Sequence, residues 1–310
     1  ARSVVFTSLR KFDGVTFDYL RTRDYMQMAG RAGRQGIDTM GLVVSFLDER
    51  DVQEAPVERL VSGKPEPVES RFRLSYATIL HLIEHLGRER LIEAWEKSFN
   101  QFQHRGKSRK ARESNRAVQR SLVDAHLNLL RELNYLDDEA KLTARGRVGR
   151  LFYGYELQVT ELLFQGVLED LPANLIAQVF VGLVHSARRR EQVRIPQRFF
   201  GDLREDIDKM IRKLMRQEAE AGLTNPLKEA DWGLAPAIDR WLGGAELEDL
   251  EDDFEGTSGD MVRTMRQSLQ LMRQVRRTLD PRDNLYDRMA DAIQGLNREE
   301  VDAQRQLELG

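Results

Sequence analysis

The sequence predicts a multidomain, mainly α protein with a partial α/β start. Two patterns carry that expectation. Apolar, β-like runs at residues 3–9 and 41–46 bracket a helix-like stretch and a glycine-rich turn. This is the strand, helix, turn, strand order of the edge of a parallel sheet. From about residue 154 onward almost every segment reads as helix, interrupted where proline or clustered glycine breaks the pattern. A chain of 310 residues has room for two or three domains, because single cores stop growing near ~250 residues.

In order along the chain, residues 1–63 hold the two strands, a helix over 19–29 and the turn at 30–36. Two prolines within residues 62–67 mark a linker. Residues 64–153 form the second region. Leu74, Ile79, Leu82, Ile83 and Leu86 suit one helix, and Val118, Leu122, Val123, Leu127, Leu130 and Leu133 suit another at three- and four-residue spacing. Between them, residues 103–120 carry seven Lys/Arg against one acid. The second helix runs into two short apolar pieces around an acidic turn (135–143), then a glycine-containing helix (144–152). Helix, tight hairpin and helix together close a winged helix. Residues 154–310 are expected to be a helical bundle, with breaks at Pro172, Pro196, Pro226, Gly243-Gly244, 256–259 and Pro281 giving roughly seven helices.

Composition narrows the classes. With 32% charged and 41% apolar residues, the chain is expected to fold rather than stay disordered. No cysteine is present, which excludes disulfides and thiolate metal sites and makes the cytoplasm the expected compartment. No apolar run approaches the ~20 residues of a membrane span. A net charge of -3 means that any nucleic-acid role must come from local patches. The chain opens on a strand-like run without methionine, and a strand needs neighbours. The expectation is therefore a fragment that begins inside a domain.

The strongest chemical signal is Gln27-Met-Ala-Gly30-Arg31-Ala-Gly33-Arg34-Gln-Gly36. Two arginines three positions apart, spaced by glycines, let a backbone approach a polyphosphate closely. Each guanidinium offers a planar fork of donors that matches phosphate oxygens. Such groups can neutralise charge on a γ-phosphoryl in transfer, a contribution of ~10³–10⁵ in rate. The bland reading is a basic turn at a helix end.

This run resembles motif VI of superfamily-two helicases, in the form found in the superkiller and exosome-associated DExH branch. Residues 4–14, 72–76 and 98–103 resemble the same branch, and Phe254-Glu-Gly256 followed by Met261-Val-Arg263-Thr-Met-Arg266 resembles the start of that family's ratchet helix. The resemblance implies three parts. Residues 1–63 would close an incomplete second RecA-like domain. Residues 64–153 would be linker and winged helix, and residues 154–310 a DSHCT-like helical bundle with its ratchet helix at about 260–279. It further implies that Arg31 and Arg34 reach the γ-phosphate, with Arg34 as the finger. Gln27 would couple nucleotide and nucleic-acid sites, and Gly30 and Gly33 would shape the turn. The implied cofactor is ATP with Mg2+, bound mostly by the N-terminal RecA-like half of the same protein. The implied substrate is single-stranded RNA, moved 3′ to 5′, with RNA-degradation machinery as a further partner.

Two departures qualify the resemblance. The phosphate-binding P-loop and the Asp-Glu-x-His box are absent from this sequence. Ser62-Gly-Lys64 is no substitute, since Glu58 stands where a P-loop begins with glycine. Alone, the chain is not expected to hydrolyse ATP. Gln103 also leads straight into the basic stretch, so the family's inserted arch is absent and recruitment through it is in doubt.

A nucleic-acid track emerges independently. On a helix through residues 261–279, Arg263, Arg266, Gln270, Arg273 and Arg277 fall within an arc of about 80°. Met261, Val262, Met265, Leu269 and Met272 lie opposite, and no acid interrupts the segment. Arginines about a turn apart suit the backbone of a passing single strand. The competing reading pairs this face with the acidic run 246–255, seven acids in ten residues. Arg145, Arg147 and Arg150 near the wing are expected to be structural, with duplex nucleic-acid binding as the alternative; Trp95, Phe99 and Phe102 are expected to seal a domain junction, Trp232 and Trp241 to be bundle core, and Arg188-Arg-Arg190 a solvated helix end. His81-Leu-Ile-Glu84-His85 matches an inverted zincin pattern but lacks a third ligand candidate, so no metal is expected. Two alternatives stay open: a non-enzymatic winged-helix and bundle module that binds nucleic acid or protein, and a DNA repair helicase of related architecture.

Overall fold

The computed structural model describes residues 1–12, 17–67, 74–96, 108–186, 200–223, 227–254 and 256–302. They fall into two units, Ala1–Arg71 and Phe72–Gly310. Most described residues are helical, and no described helix is long and apolar enough to cross a membrane.

In the first unit the valine-rich runs become strands. β1 (Ser3–Phe6) pairs in parallel with β4 (Leu42–Ser45), in register from Ser3 opposite Leu42 to Phe6 opposite Ser45. Between them lie an antiparallel pair, β2 (Arg10–Phe12) and β3 (Phe17–Tyr19), and helix α1 (Thr22–Ala29). The helix expected over 19–29 thus starts three residues late. Tyr19 is held in β3 opposite Arg10, and its hydroxyl donates to Asp51 at 3.2 Å. The Glu66 carboxylate then accepts the N–H groups of Thr22 and Arg23 at 3.0 and 2.9 Å, capping α1 from 44 residues away. Two short helices follow, α2 (Glu49–Glu54) and α3 (Val57–Ser62). The core is Phe6, Leu9, Leu20, Tyr25 and Leu60, with the Phe6 and Tyr25 rings stacked at 4.7 Å. The opposite face of the β1–β4 pair carries Val5, Leu42 and Val44, all exposed.

The second unit opens with α4 (Tyr76–Glu96), which kinks at Gly87, where φ is 73°. Next comes α5 (Arg109–Glu132), capped by Ser108. A tight reversal brings Leu136 opposite Leu142. Thr143 then caps α6 (Ala144–Gly149), and α7 (Glu156–Phe164) follows. Ile79, Leu80, Ile83, Leu127, Leu130, Tyr135 and Leu157 pack among these elements. Two buried carboxylates tie the start of α4 to later elements. Tyr76 donates to Glu218 at 2.6 Å, and Glu156 accepts the Ala77 N–H at 2.9 Å. Burial raises the pKa of both carboxyls.

The bundle is built around α8 (Ala173–Val184), buried on every side from Ile176 to Val184. An all-round apolar helix belongs at the centre of a core. Against it pack α10 (Ala235–Leu242), α11 (Ser258–Arg276) and α12 (Asn284–Leu296), while α9 (Leu203–Glu220) contacts α7. Gly182 of α8 lies against Trp232, where a Cβ would come within 2.7 Å of the ring. Trp232 and Trp241 are both core, as expected. The sequence readings at residues 72–73, 98–103, Phe99, Phe102, Arg188-Arg-Arg190, Pro196, Pro226 and the Trp95 side chain lie outside the described residues.

Candidate functional site

In the first unit, Gln27 sits exposed on the last turn of α1, and Gly30 ends that helix by donating its N–H to the Met26 carbonyl at 2.8 Å. Two further turn bonds, Arg31 N–H to Met28 O and Ala32 N–H to Ala29 O, carry the chain over the helix end. Gly33 has φ of 80° and donates to Ala1 O at 2.8 Å. A Cβ on Gly41 would fall 2.5 Å from Ala32 O, so the turn needs glycine in its neighbour as well as in itself.

The Arg31 side chain is exposed and makes no hydrogen bond or ion pair among the described residues. Arg34 differs. Its backbone N–H and Nε donate to Asp38 Oδ2 at 3.0 and 2.9 Å, and its Nη2 reaches Oδ1 at 3.4 Å. Arg2 Nε donates to the same carboxylate at 2.9 Å. Arg34 and then Arg2 hold the Asp38 carboxyl below its ordinary range. Asp38 keeps 3% of its side-chain surface and Arg34 keeps 53%, so the acid is anchored and the guanidinium reaches out from it. Two of the five guanidinium donors face Asp38, which leaves three for a phosphate. Sequence reasoning missed Asp38, although an acid four positions after Arg34 was the available signal.

In the second unit, Thr257 caps α11, and Met261, Met265, Leu269 and Met272 fill the core on one side. Arg263, Gln270, Arg273 and Arg277 are exposed on the other. Arg266 is more enclosed, donating to the carbonyls of Val301 (3.1 Å) and Glu300 (2.6 Å). Two clefts of about 540 and 560 Å³ run beside this face and share Arg273 and Asn297. One adds Arg276, Arg277, Tyr286 and Gln294, and the other adds Arg266, Gln270 and Asp302. Arg276 lies 3.9 Å over the Tyr286 ring and donates to the Tyr286 carbonyl at 3.3 Å. Within the acidic run, Asp253 pairs with Arg240 at 2.5 Å and Glu251 accepts from Ser258 at 2.7 Å.

The sequence pattern of the DSHCT (NUC185) domain matches residues 139–303, more than half of the chain. The chain belongs to the DSHCT domain family. Among curated relatives, the Exosome RNA helicase MTR4 of Homo sapiens is 42% identical over 106 residues, 34% of this chain and 10% of that protein. Superkiller complex protein 2 of Mus musculus is 43% identical over 109 residues, 35% of this chain and 9% of that protein. The DExH-box ATP-dependent RNA helicase DExH11 of Arabidopsis thaliana is 38% identical over 140 residues, 44% and 10% respectively. The matched stretch thus spans about a tenth of each relative's length. The resemblance to the superkiller and exosome-associated branch is borne out by these relatives.

Within the DSHCT region, helical periodicity missed Arg276, Tyr286, Gln294 and Asn297, because three of the four come from α12 and the turn after it. Arg145, Arg147 and Arg150 each have a partner within the fold. Arg145 meets Glu161 at 2.6 Å, Arg147 donates to Leu142 O at 2.8 Å and Arg150 meets Glu84 at 2.5 Å. That last pair takes the glutamate of the His81–His85 pattern, whose rings lie edge to face at 4.4 Å. Among the described residues no group of three His, Cys, Asp or Glu is placed to hold a metal.

Proposed function

We propose that the chain is the C-terminal part of an ATP-dependent RNA helicase, with α11 as the track for single-stranded RNA and the turn after α1 as its nucleotide sensor. The observation that carries this reading is the pair of adjoining clefts beside α11. Arginines, Gln270, Gln294 and Asn297 line them, and Leu269 and Ile293 form an apolar floor. Guanidinium groups on a rail suit a phosphodiester backbone, and the amides and apolar floor suit bases turned inward. Family likeness adds a 3′-to-5′ direction of movement.

On this reading the exposed Val5, Leu42 and Val44 face is covered by helices of the rest of a RecA-like domain, since parallel sheets are buried on both faces. Bound ATP with Mg2+ would supply the phosphoryl group. Arg31 and the three outward donors of Arg34 would hold its oxygens, Asp38 fixes the Arg34 plane, and Gln27 borders the same turn. The P-loop and the Asp-Glu-x-His box belong to the N-terminal half of the parent protein, so the chain alone does not turn ATP over.

One observation favours a binding module without motor activity: Arg34 already has a partner in Asp38. Arg34→Ala in the complete protein separates the two readings. ATP turnover abolished with RNA affinity retained supports the motor, and near-normal turnover defeats it. Competition between oligouridylate and oligothymidylate at fixed salt tests RNA against DNA.

A further inference from the structure

A third cleft, of about 530 Å³, lies on the bundle where the ends of α7 and α11 meet the start of α12. Val148, Leu163, Leu168, Leu279 and Leu285 form its apolar walls, and Phe164 remains 41% exposed. Glu169, Asp170 and Asp283 line it as well, and none of the three makes a salt bridge among the described residues. The one cation of the lining, Arg288, is turned onto the Glu169 carbonyl. Three carboxylates against one occupied guanidinium leave the cleft acidic. The C-terminal ends of α7 and α11 favour a cation there, partly offset by the N-terminus of α12, so the carboxylates decide the sign.

The geometry points to this cleft as a docking site for a protein segment that carries lysine or arginine beside an aliphatic or aromatic side chain. Charge complementarity selects that occupant. An apolar wall alone would accept any hydrophobic peptide, whereas the unpaired carboxylates require a positive group beside it. The same carboxylates repel a phosphate backbone, so the cleft stands apart from the arginine face of α11 and does not depend on the RNA reading.

The test is an amide proton–nitrogen NMR titration of the full chain. The probe is the blocked tripeptide acetyl-Leu-Arg-Leu-amide, taken to about 5 mM because an isolated short motif binds weakly. The expected result is shifts at Phe164, Glu169, Thr278 and Leu279. Acetyl-Leu-Glu-Leu-amide should produce none. Asp170→Asn and Asp283→Asn, both at exposed positions, should each weaken binding up to about fivefold. The proposal is overturned if those amides stay still, if both peptides shift them equally, or if the variants bind as the parent does. It is also overturned if oligouridylate shifts the same amides, or if they broaden with protein concentration alone, which would mark RNA or a second copy as the occupant.

Discussion

Replacing Arg273 and Arg277 together with alanine gives a quantitative test of the α11 track. Three cations on that face, Arg263, Arg273 and Arg277, are exposed, whereas Arg266 already serves two carbonyls. If each exposed guanidinium neutralises one phosphate of a single strand, the slope of log affinity against log salt is about -0.7 per contact, or about -2 for three. At about 0.1 M salt, relative to 1 M, each contact then contributes about 0.7 of a decade. Removing two should weaken oligouridylate binding about 25-fold and flatten the slope to about -0.7. Fluorescence anisotropy over a salt series reads both quantities at once, with thermal unfolding run alongside to show that the variant is folded. An unchanged slope in a folded variant would refute the track, because affinity lost without fewer released counterions is not phosphate binding.

The remaining expectations separate packing from binding. Arg266→Ala removes the two hydrogen bonds to the Glu299–Val301 turn and should cost about 1–3 kcal/mol of stability, with little change in the salt slope; the reverse pattern would move Arg266 onto the track. Gly182→Ala drives a methyl into the Trp232 ring and should cost about 1–3 kcal/mol in chemical denaturation, and an equal midpoint would mean that Trp232 moves aside freely. Glu156 and Glu218 titrate higher in the folded state than their unfolded value of 4.5. Between the two values the folded state holds a proton that the unfolded state has lost, so this contribution is full below 4.5 and fades as pH rises. Glu156→Gln with Glu218→Gln should therefore flatten the fall in melting temperature from acid to neutral pH, and a parallel profile would contradict the assignment.

Much of this was legible in the sequence, and the misses share a physical reason. The two valine-rich strands, the glycine turn and the two-faced α11 follow from local periodicity, which needs no knowledge of distant partners. The late start of α1 does not, because Glu66 caps it from 44 residues away and Tyr19 is claimed by β3. Asp38 was within local reach, but its side chain is covered by Arg2 as well as by Arg34. At the clefts, Arg276 was passed over because its angle on the helix lies off the stripe, and only the position of Tyr286 shows that it forms a wall.

That wall explains why the five side chains of one stripe behave differently. Taking Arg263 as zero and turning 100° per residue, Gln270, Arg277, Arg266 and Arg273 lie at about -20°, -40°, -60° and -80°, and Arg276 at about -140°. Among the described residues, the side chains nearest Arg263 are free and those farther round meet neighbours. Arg263 and Arg277 are exposed, Arg266 is drawn to the Val301 and Glu300 carbonyls and Arg273 touches Asn297, while Arg276 is stacked on Tyr286. α12 and the turn after it therefore flank one margin of the stripe and leave the other open. A flat row of charges would hold a strand at any angle, whereas a row with a wall along one side holds it parallel to α11. If α11 carries a single strand, Arg266 and Arg276 would set its direction and the three exposed arginines its affinity.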